Sequence, residues 1–295
     1  MARRTPRIFL SWTQLKHTFI ALLLATTLPL LGGCSGLFFF PDKVTYITPD
    51  RLNMSYEDIY LDTIDGETLN GWWLPADETS GPVKGTVYYL HGNAQNISSH
   101  ILNVAWLPAE GYNVFTLDYR GFGKSTGAPD IEGALLDVET GMRWLAQQPD
   151  AQNTPIILLG QSLGGALGLT LASEWQKRAK QPSFSAVVLD GTFSGFRSIA
   201  REKLGDFWLT WAFQIPLSWT ITDDYEGVNE IAYISPVPVM IIHSVRDGVI
   251  PFHHGQALYK AAKEPKQFLR TDTPHAATFI LPAYKESVLK FIDQN

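Results

Sequence analysis

Cysteine is all but absent: Cys34 is the only one in 295 residues, which excludes an intramolecular disulfide, a Cys-based metal site and a catalytic thiol elsewhere. Acidic residues are missing from the first 34 positions, where Arg3, Arg4, Arg7 and Lys16 are the only charges. Those four account for +4 within a net charge of −6, so the remainder carries −10, and an acidic body is a poor partner for nucleic acid. Internal repeats, low-complexity tracts and long Gly/Ser or Pro linkers are also lacking, so nothing marks a second folding unit. No two His or carboxylates stand at a recognisable metal-ligand spacing, and neither metal nor cofactor is expected. What is present is 45% hydrophobic residues, enough for one large core, and α/β folds often use this length as a single domain.

The N-terminus reads as an address. A basic stretch to His17 precedes an almost unbroken apolar run from Phe19 to Leu31, followed by Leu31-Gly32-Gly33-Cys34. The run is shorter than the twenty or so apolar residues of a spanning helix and ends in small residues, as a processed signal does. Leu-Gly-Gly-Cys resembles the bacterial lipoprotein site, in which the cysteine is acylated and becomes the mature N-terminus. Residues 1–33 are thus expected to be a signal peptide, 34–42 a membrane-proximal linker, and 43–295 the folded domain, with Cys34 as the lipidation site and membrane contact. Ser35 in place of Asp resembles the outer-membrane signal, facing the periplasm. Two rivals are an uncleaved anchor extended through Leu37-Phe38-Phe39-Phe40 and an ordinary signal with an incidental cysteine.

Downstream, extended segments are expected at Val44-Thr45-Tyr46-Ile47, around Ile59, and from Leu69 to Leu74, with Asp65-Gly66 as a hairpin turn between the last two. Further strands are expected over residues 85–90, 112–118, 185–189, 237–243 and 267–270. Helices are expected over 101–110, 130–147 and 279–293; in the second, Ile131, Leu135, Val138, Met142 and Leu145 recur at spacings of three and four, one buried face.

The strand Ile156-Ile157-Leu158-Leu159 runs straight into Gly160-Gln161-Ser162-Leu163-Gly164-Gly165 and then a helix. G-x-S-x-G at such a junction is the nucleophile elbow, a strained turn that projects the serine above the sheet edge. Ser162 is the expected nucleophile, and the Leu163 N–H, at a helix N-terminus without an intrahelical acceptor, is an expected oxyanion donor. The second donor is placed on the Asn93 N–H, in the tight turn His91-Gly92-Asn93-Ala94 after the third strand; His91 itself fits a loop-ordering role.

Serine needs an imidazole to accept its proton and a carboxylate to orient that imidazole. Asp247 and His275 follow later strand ends in the order serine, acid, histidine. Asp190, after the sixth strand, is the rival acid; Asp272 lies too near His275 and reads as a turn residue. His253 and His254 open a helix, where capping or surface roles are the default. Gly123-Lys124-Ser125-Thr126 invites a phosphate-loop reading, but the motif needs a glycine where Asp118 stands. The aromatic interval 193–234, with Phe193, Phe196, Phe207, Trp208, Trp211, Phe213 and Trp219, reads equally as a cap over an apolar pocket or as aromatics packing a helix onto the sheet.

Leu90-His91-Gly92-Asn93-Ala94, Asp118-Tyr119-Arg120-Gly121-Phe122-Gly123-Lys124-Ser125, the elbow, and Val245-Arg246-Asp247-Gly248-Val249-Ile250-Pro251 together resemble the YfhR-type, Bem-like α/β-hydrolases, over most of the chain after about Pro41. The resemblance implies a mostly parallel sheet with helices on both faces, and a serine hydrolase with Ser162, Asp247 and His275 as its triad, in a group often placed with serine aminopeptidase or prolyl-oligopeptidase-like sequences. Two departures are Thr273-Pro274-His275-Ala276-Ala277, where many relatives have Gly two residues before the histidine and a polar pair after it, and the lipobox, which is not general in the family. Three functions follow: an ester or thioester hydrolase working through acyl-Ser162, a peptidase using the same residues, or an envelope binding protein with a vestigial triad.

Overall fold

Eight strands hydrogen-bond into one sheet in the order β8-β7-β6-β5-β3-β4-β2-β1. They are β1 (Glu57–Asp62), β2 (Thr68–Leu74), β3 (Gly85–Leu90), β4 (Tyr112–Leu117), β5 (Ile156–Gln161), β6 (Phe184–Asp190), β7 (Val239–Ser244) and β8 (Lys266–Thr271). The computed structural model describes residues 38–206 and 209–295, all within the unit Ser35–Asn295. The signal-peptide stretch 1–33, the lipidation candidate Cys34 and the aromatics Phe207 and Trp208 lie outside the described residues.

β1 and β2 form the antiparallel hairpin, with Gly66 at φ +95° in its turn. β2 runs antiparallel to β4, and all pairings from β4 across to β8 are parallel. A parallel sheet must be covered on both faces, and the central strands meet that demand by alternation. Ile156 and Leu158 of β5 face one core with helix α1 (Ile131–Leu145) and helix α2 (Leu163–Lys177), while Ile157 and Leu159 face the other with helix α5 (Pro282–Asp293). α1 is capped by Asp130, whose Oδ1 accepts the Gly133 N–H at 2.7 Å, and it buries Ile131, Ala134, Val138, Met142 and Leu145. Helix α3 (Phe196–Asp206) follows β6, and helix α4 (Phe252–Ala261) lies between β7 and β8.

Three local expectations are corrected. Residues 44–47 form no strand: Val44 and Tyr46 are exposed, and this stretch bonds to side chains instead, Asn96 Nδ2 to the Val44 carbonyl at 2.7 Å and the Tyr46 N–H to Ser98 Oγ at 2.9 Å. The pairing near this end is a two-residue parallel bridge of Phe40–Pro41 with Ala94–Gln95. Residues 101–110 break into the short 3₁₀ turns Ile101–Asn103 and Pro108–Glu110, because Pro108 lacks the N–H that would continue a helix. The last helix starts at Pro282, three residues after Phe279, with the fixed φ of proline suited to a first turn.

Because the strands from β3 to β8 are parallel, their C-terminal ends share one edge of the sheet. The turns carrying residues 91–95, 162, 190–194, 245–251 and 272–277 all leave from that edge.

Candidate active site

Ser162 sits between β5 and α2 at φ 54°, ψ −117°, a conformation that costs an L-residue about 1–3 kcal/mol and persists only where its surroundings fix it. Here its N–H donates to the Asp190 carbonyl at 2.9 Å, and its carbonyl accepts from Thr192 Oγ1 at 2.7 Å. The turn is also sterically closed: a Cβ on Gly164 would lie 2.1 Å from the Leu90 carbonyl oxygen, so no other residue lets α2 come this close to β3.

His275 bridges the serine and an acid. Its Nε2 is 3.0 Å from Ser162 Oγ and its Nδ1 is 2.6 Å from Asp247 Oδ2. The other oxygen, Oδ1, accepts the Val249 and Ile250 N–H groups, each at 2.8 Å. Burial raises the Asp247 carboxyl, but the bond from His275 and those two N–H groups outweigh it and hold the group below the ordinary carboxylate range. Asp247 is therefore ionised and accepts only, so Nδ1 of His275 carries the ring proton and Nε2 turns a lone pair toward the serine hydroxyl. The histidine loop is fixed around it by Ser244 Oγ, which donates to the Thr273 carbonyl, and by Ala276 in the left-handed region at φ 58°.

Asp190 does not meet His275 in a hydrogen bond. Its Oδ2 accepts Gln161 Nε2 at 2.9 Å and its Oδ1 accepts Thr278 Oγ1 at 2.7 Å. Gln161 in turn accepts from Asn103 Nδ2 at 2.8 Å and the Tyr89 hydroxyl at 3.1 Å. This buried chain braces the residue before the serine and the loop after the histidine. Sequence reasoning missed Gln161, Asn103 and Thr278 in this part; the only available signal was that Gln161 is the polar residue inside the elbow. Also unforeseen is His243, buried in β7, whose Nε2 bonds the Ile250 carbonyl at 3.0 Å and so fixes the acid loop.

The proposed oxyanion donors border the serine. A Cβ on Gly92 would lie 3.7 Å from Ser162 Cβ, so the Asn93 turn passes against Ser162. Among the described residues, neither the Asn93 N–H nor the Leu163 N–H at the start of α2 meets a protein acceptor. His91 is fully buried, stacked on Tyr119 at 4.4 Å, with Nε2 3.4 Å from Asp118 Oδ1, a loop-ordering position. His100 adds a second brace: its Nε2 bonds the Ala94 carbonyl at 2.9 Å, and burial, then neighbouring His91, bring its pKa down to about 4, so it donates as a neutral ring.

The Gly-Lys-Ser-Thr turn is engaged within the protein. Ser125 Oγ donates to the Asp118 carbonyl at 2.7 Å, Lys124 reaches Asp58 at 3.3 Å, and Asp118 Oδ1 accepts the Ile97 N–H at 2.8 Å. Asp272 accepts the Tyr284 hydroxyl at 2.8 Å. Spatially, Glu202, His253 and His254 do gather, with ligand-type atoms within 4.8 Å of one another, a grouping that spacing along the chain could not reveal. Nδ1 of His254 accepts the Ser194 N–H at 3.1 Å, which puts the ring proton on Nε2, directed at Glu202 Oε2 3.3 Å away. The trio is thus a hydrogen-bonded tie between α3 and α4. The aromatic interval divides: Phe193 and Phe196 are buried, whereas Trp211, Phe213 and Trp219 are exposed.

A strand-turn-helix serine at the edge of a mostly parallel eight-stranded sheet, in bonding contact with a histidine from another loop, defines the α/β-hydrolase class. The serine aminopeptidase (S33) family model matches residues 81–226, which include the elbow and the Asn93 turn. The YfhR protein of Escherichia coli K12 is 36% identical over 263 residues, 86% of each chain, and the bem46 protein of Schizosaccharomyces pombe is 32% identical over 206 residues, 69% of this chain and 64% of its own. An esterase of Pyrococcus furiosus superimposes with a TM-score of 0.68 at 24% identity, covering 87% of this chain and 97% of its own, a likeness of fold. The chain belongs to the YfhR family of α/β-hydrolases, and it is a hydrolase.

Proposed function

We propose that the protein is a serine hydrolase of carboxylic esters or thioesters that works through an acyl-Ser162 intermediate and is held at the bacterial envelope by lipidated Cys34. The observation that carries the chemistry is His275 bonded at once to Ser162 and Asp247. Ser162 Oγ attacks the substrate carbonyl as Nε2 takes its proton; Asp247 keeps Nδ1 protonated and stabilises the imidazolium. The Asn93 and Leu163 N–H groups receive the developing oxyanion. Nε2 then protonates the leaving alcohol or thiol, and water, deprotonated by the same nitrogen, releases the acid.

An ester or thioester is favoured over an aminoacyl amide because the two buried acids after β6 and β7 are already engaged, Asp247 by His275 and Asp190 by Gln161 and Thr278. Neither offers a carboxylate to a substrate ammonium group. Turnover of short p-nitrophenyl esters by the full chain, with Ser162→Ala inactive and aminoacyl amides turned over at least about 100-fold more slowly, is the expected result. Amide turnover equal to ester turnover would move the reading to a peptidase.

The anchor rests on the Leu-Gly-Gly-Cys site and the apolar run before it. Among the described residues no helix is long and apolar enough to cross a membrane. Mass spectrometry of the chain from a bacterial membrane fraction should find an N-terminal peptide that begins at an acylated Cys34; a chain that retains residues 1–33, or an unmodified Cys34, would count against lipidation.

A further inference from the structure

No Asp, Glu, Lys or Arg occurs between Asp206 and Asp223, yet among its described residues only Ser218 and Ile221 are buried. Leu209, Trp211, Phe213, Ile215 and Trp219 are 58%, 63%, 59%, 43% and 68% exposed. Single exposed apolar residues are ordinary, but five within eleven positions, three of them aromatic and with no charge among them, are a local excess of apolar surface that water does not favour. The contrast lies within the same segment: Phe193 and Phe196 fill the core at 4% and 0% exposure, so packing has already taken the aromatics it needs.

A second, independent observation says on which side of the domain the chain enters. The domain's first described residues do not leave from a remote face. Phe38 packs edge-on against Phe196 at 5.3 Å and stacks on Phe193 at 6.3 Å, and the Phe40 N–H donates to the Asn93 carbonyl at 2.8 Å. The chain therefore enters between α3 and the turn that borders Ser162, with Phe40 itself 62% exposed. Cys34 is four residues upstream of Phe38, a reach of at most about 14 Å, and the apolar run Phe19 to Leu31 lies just before it. Whatever holds the N-terminus at a membrane holds this edge of the sheet close to it.

We propose that the exposed face formed by Leu209, Trp211, Phe213, Ile215 and Trp219 sits in the surface of a lipid bilayer, and that the site takes its ester substrate, an acyl ester of a bilayer lipid, from that surface. Tryptophan suits this position, since its ring is apolar at one end and donates a hydrogen bond at the other. The domain's net charge after Cys34 is negative, so attraction to anionic lipid does not drive the seating. It is apolar partition, indifferent to salt and at home on a zwitterionic surface. The inference rests on the hydrolase reading for its substrate and on the membrane anchor for its geometry.

The test uses the full chain reconstituted in phosphatidylcholine vesicles. Acyl-brominated phosphatidylcholine should quench its tryptophan emission, unchanged between about 0.05 and 0.5 M salt, and Trp211→Phe with Trp219→Phe, which keeps the apolar face but removes two indoles, should lose most of that quenching. Trp211→Ser with Phe213→Ser and Trp219→Ser should lower the ratio of vesicle-ester to soluble short-ester turnover by about tenfold or more. The Phe variant should keep that ratio within about twofold, which separates seating from folding. Quenching that the Phe variant leaves intact would overturn the seating. So would a Ser variant in which both turnovers fall together, or self-association through this face in place of lipid contact. Quenching as expected with no turnover of any ester would leave the seating standing and overturn the substrate assignment along with the hydrolase reading.

Discussion

Asp190 and Asp247 stand at the ends of neighbouring parallel strands, both buried at the side chain, both near the histidine loop, and they do opposite things. Asp247 has one oxygen on His275 and the other on two backbone N–H groups of its own turn, so its charge faces the base. Asp190 has one oxygen on Gln161 and one on Thr278, so its charge faces the scaffold. Their electrostatics diverge accordingly: for both, burial is the largest influence, but it is overcome at Asp247, whose carboxyl is held low, and not at Asp190, whose carboxyl is pushed up. The difference teaches that the acid that meets the histidine is set by which donors its turn supplies, rather than by the strand it follows.

The largest expected effect lies outside the pair and sets the scale. Ser162→Ala in the full chain should lower kcat for a short ester by about 10⁴-fold or more, measured under saturating substrate, with the fold unchanged by circular dichroism.

Next comes the comparison itself. Asp247→Asn should lower kcat by roughly 10³–10⁴-fold, because an amide no longer holds Nδ1 as the protonated nitrogen. Asp190→Asn should lower it by less than about tenfold, since an amide can accept from Gln161 and donate to Thr278 in the same space. Equal losses at the two positions would break the distinction.

pH provides a sharper version with opposite signs. A carboxyl held low contributes stability that is complete above the ordinary carboxylate range and drains away as pH falls toward its lowered value. Asp247→Asn should therefore lose more Tm relative to the parent at pH 7 than at pH 3. A carboxyl pushed up contributes in the other direction, its stabilisation present below the ordinary range and lost as pH rises through its raised value. Asp190→Asn should accordingly gain on the parent between pH 4 and pH 7. Thermal melts of the parent and both variants across that range check both slopes.

The smallest expected effect concerns the brace. Gln161→Leu leaves one oxygen of buried Asp190 without a donor, at a cost of about 1–3 kcal/mol, and Asp190→Asn in the same chain should recover part of it, a coupling that a double-mutant cycle by urea denaturation would measure.

Much of this arrangement was legible in the residues. Ile156 to Leu159 running into Gly-Gln-Ser-Leu-Gly locates a buried strand and a strained turn because each residue there is constrained by contact. The serine, acid, histidine order then places three loops on one edge once the sheet is parallel. The preference for Asp247 over Asp190 came from motif and order; its physical ground is three-dimensional, in donors contributed by Gln161, Thr278 and the turn after β7. Residues 44–47 look like a strand by composition but bond to the side chains of Asn96 and Ser98, which no local pattern announces. The segment from 193 to 234 has aromatics of two kinds, core and surface, and composition alone treats them alike.

The central claim is that Ser162 carries the acyl group, with His275 activated by Asp247. Its most direct measurement is reaction of the folded full chain with a fluorophosphonate, followed by peptide mass mapping, in the parent, Asp190→Asn and Asp247→Asn. A single adduct on Ser162, formed at a similar rate in the parent and Asp190→Asn and at least about 100-fold more slowly in Asp247→Asn, is the predicted result. Labelling at another residue, or no labelling of a chain that hydrolyses esters, would contradict it.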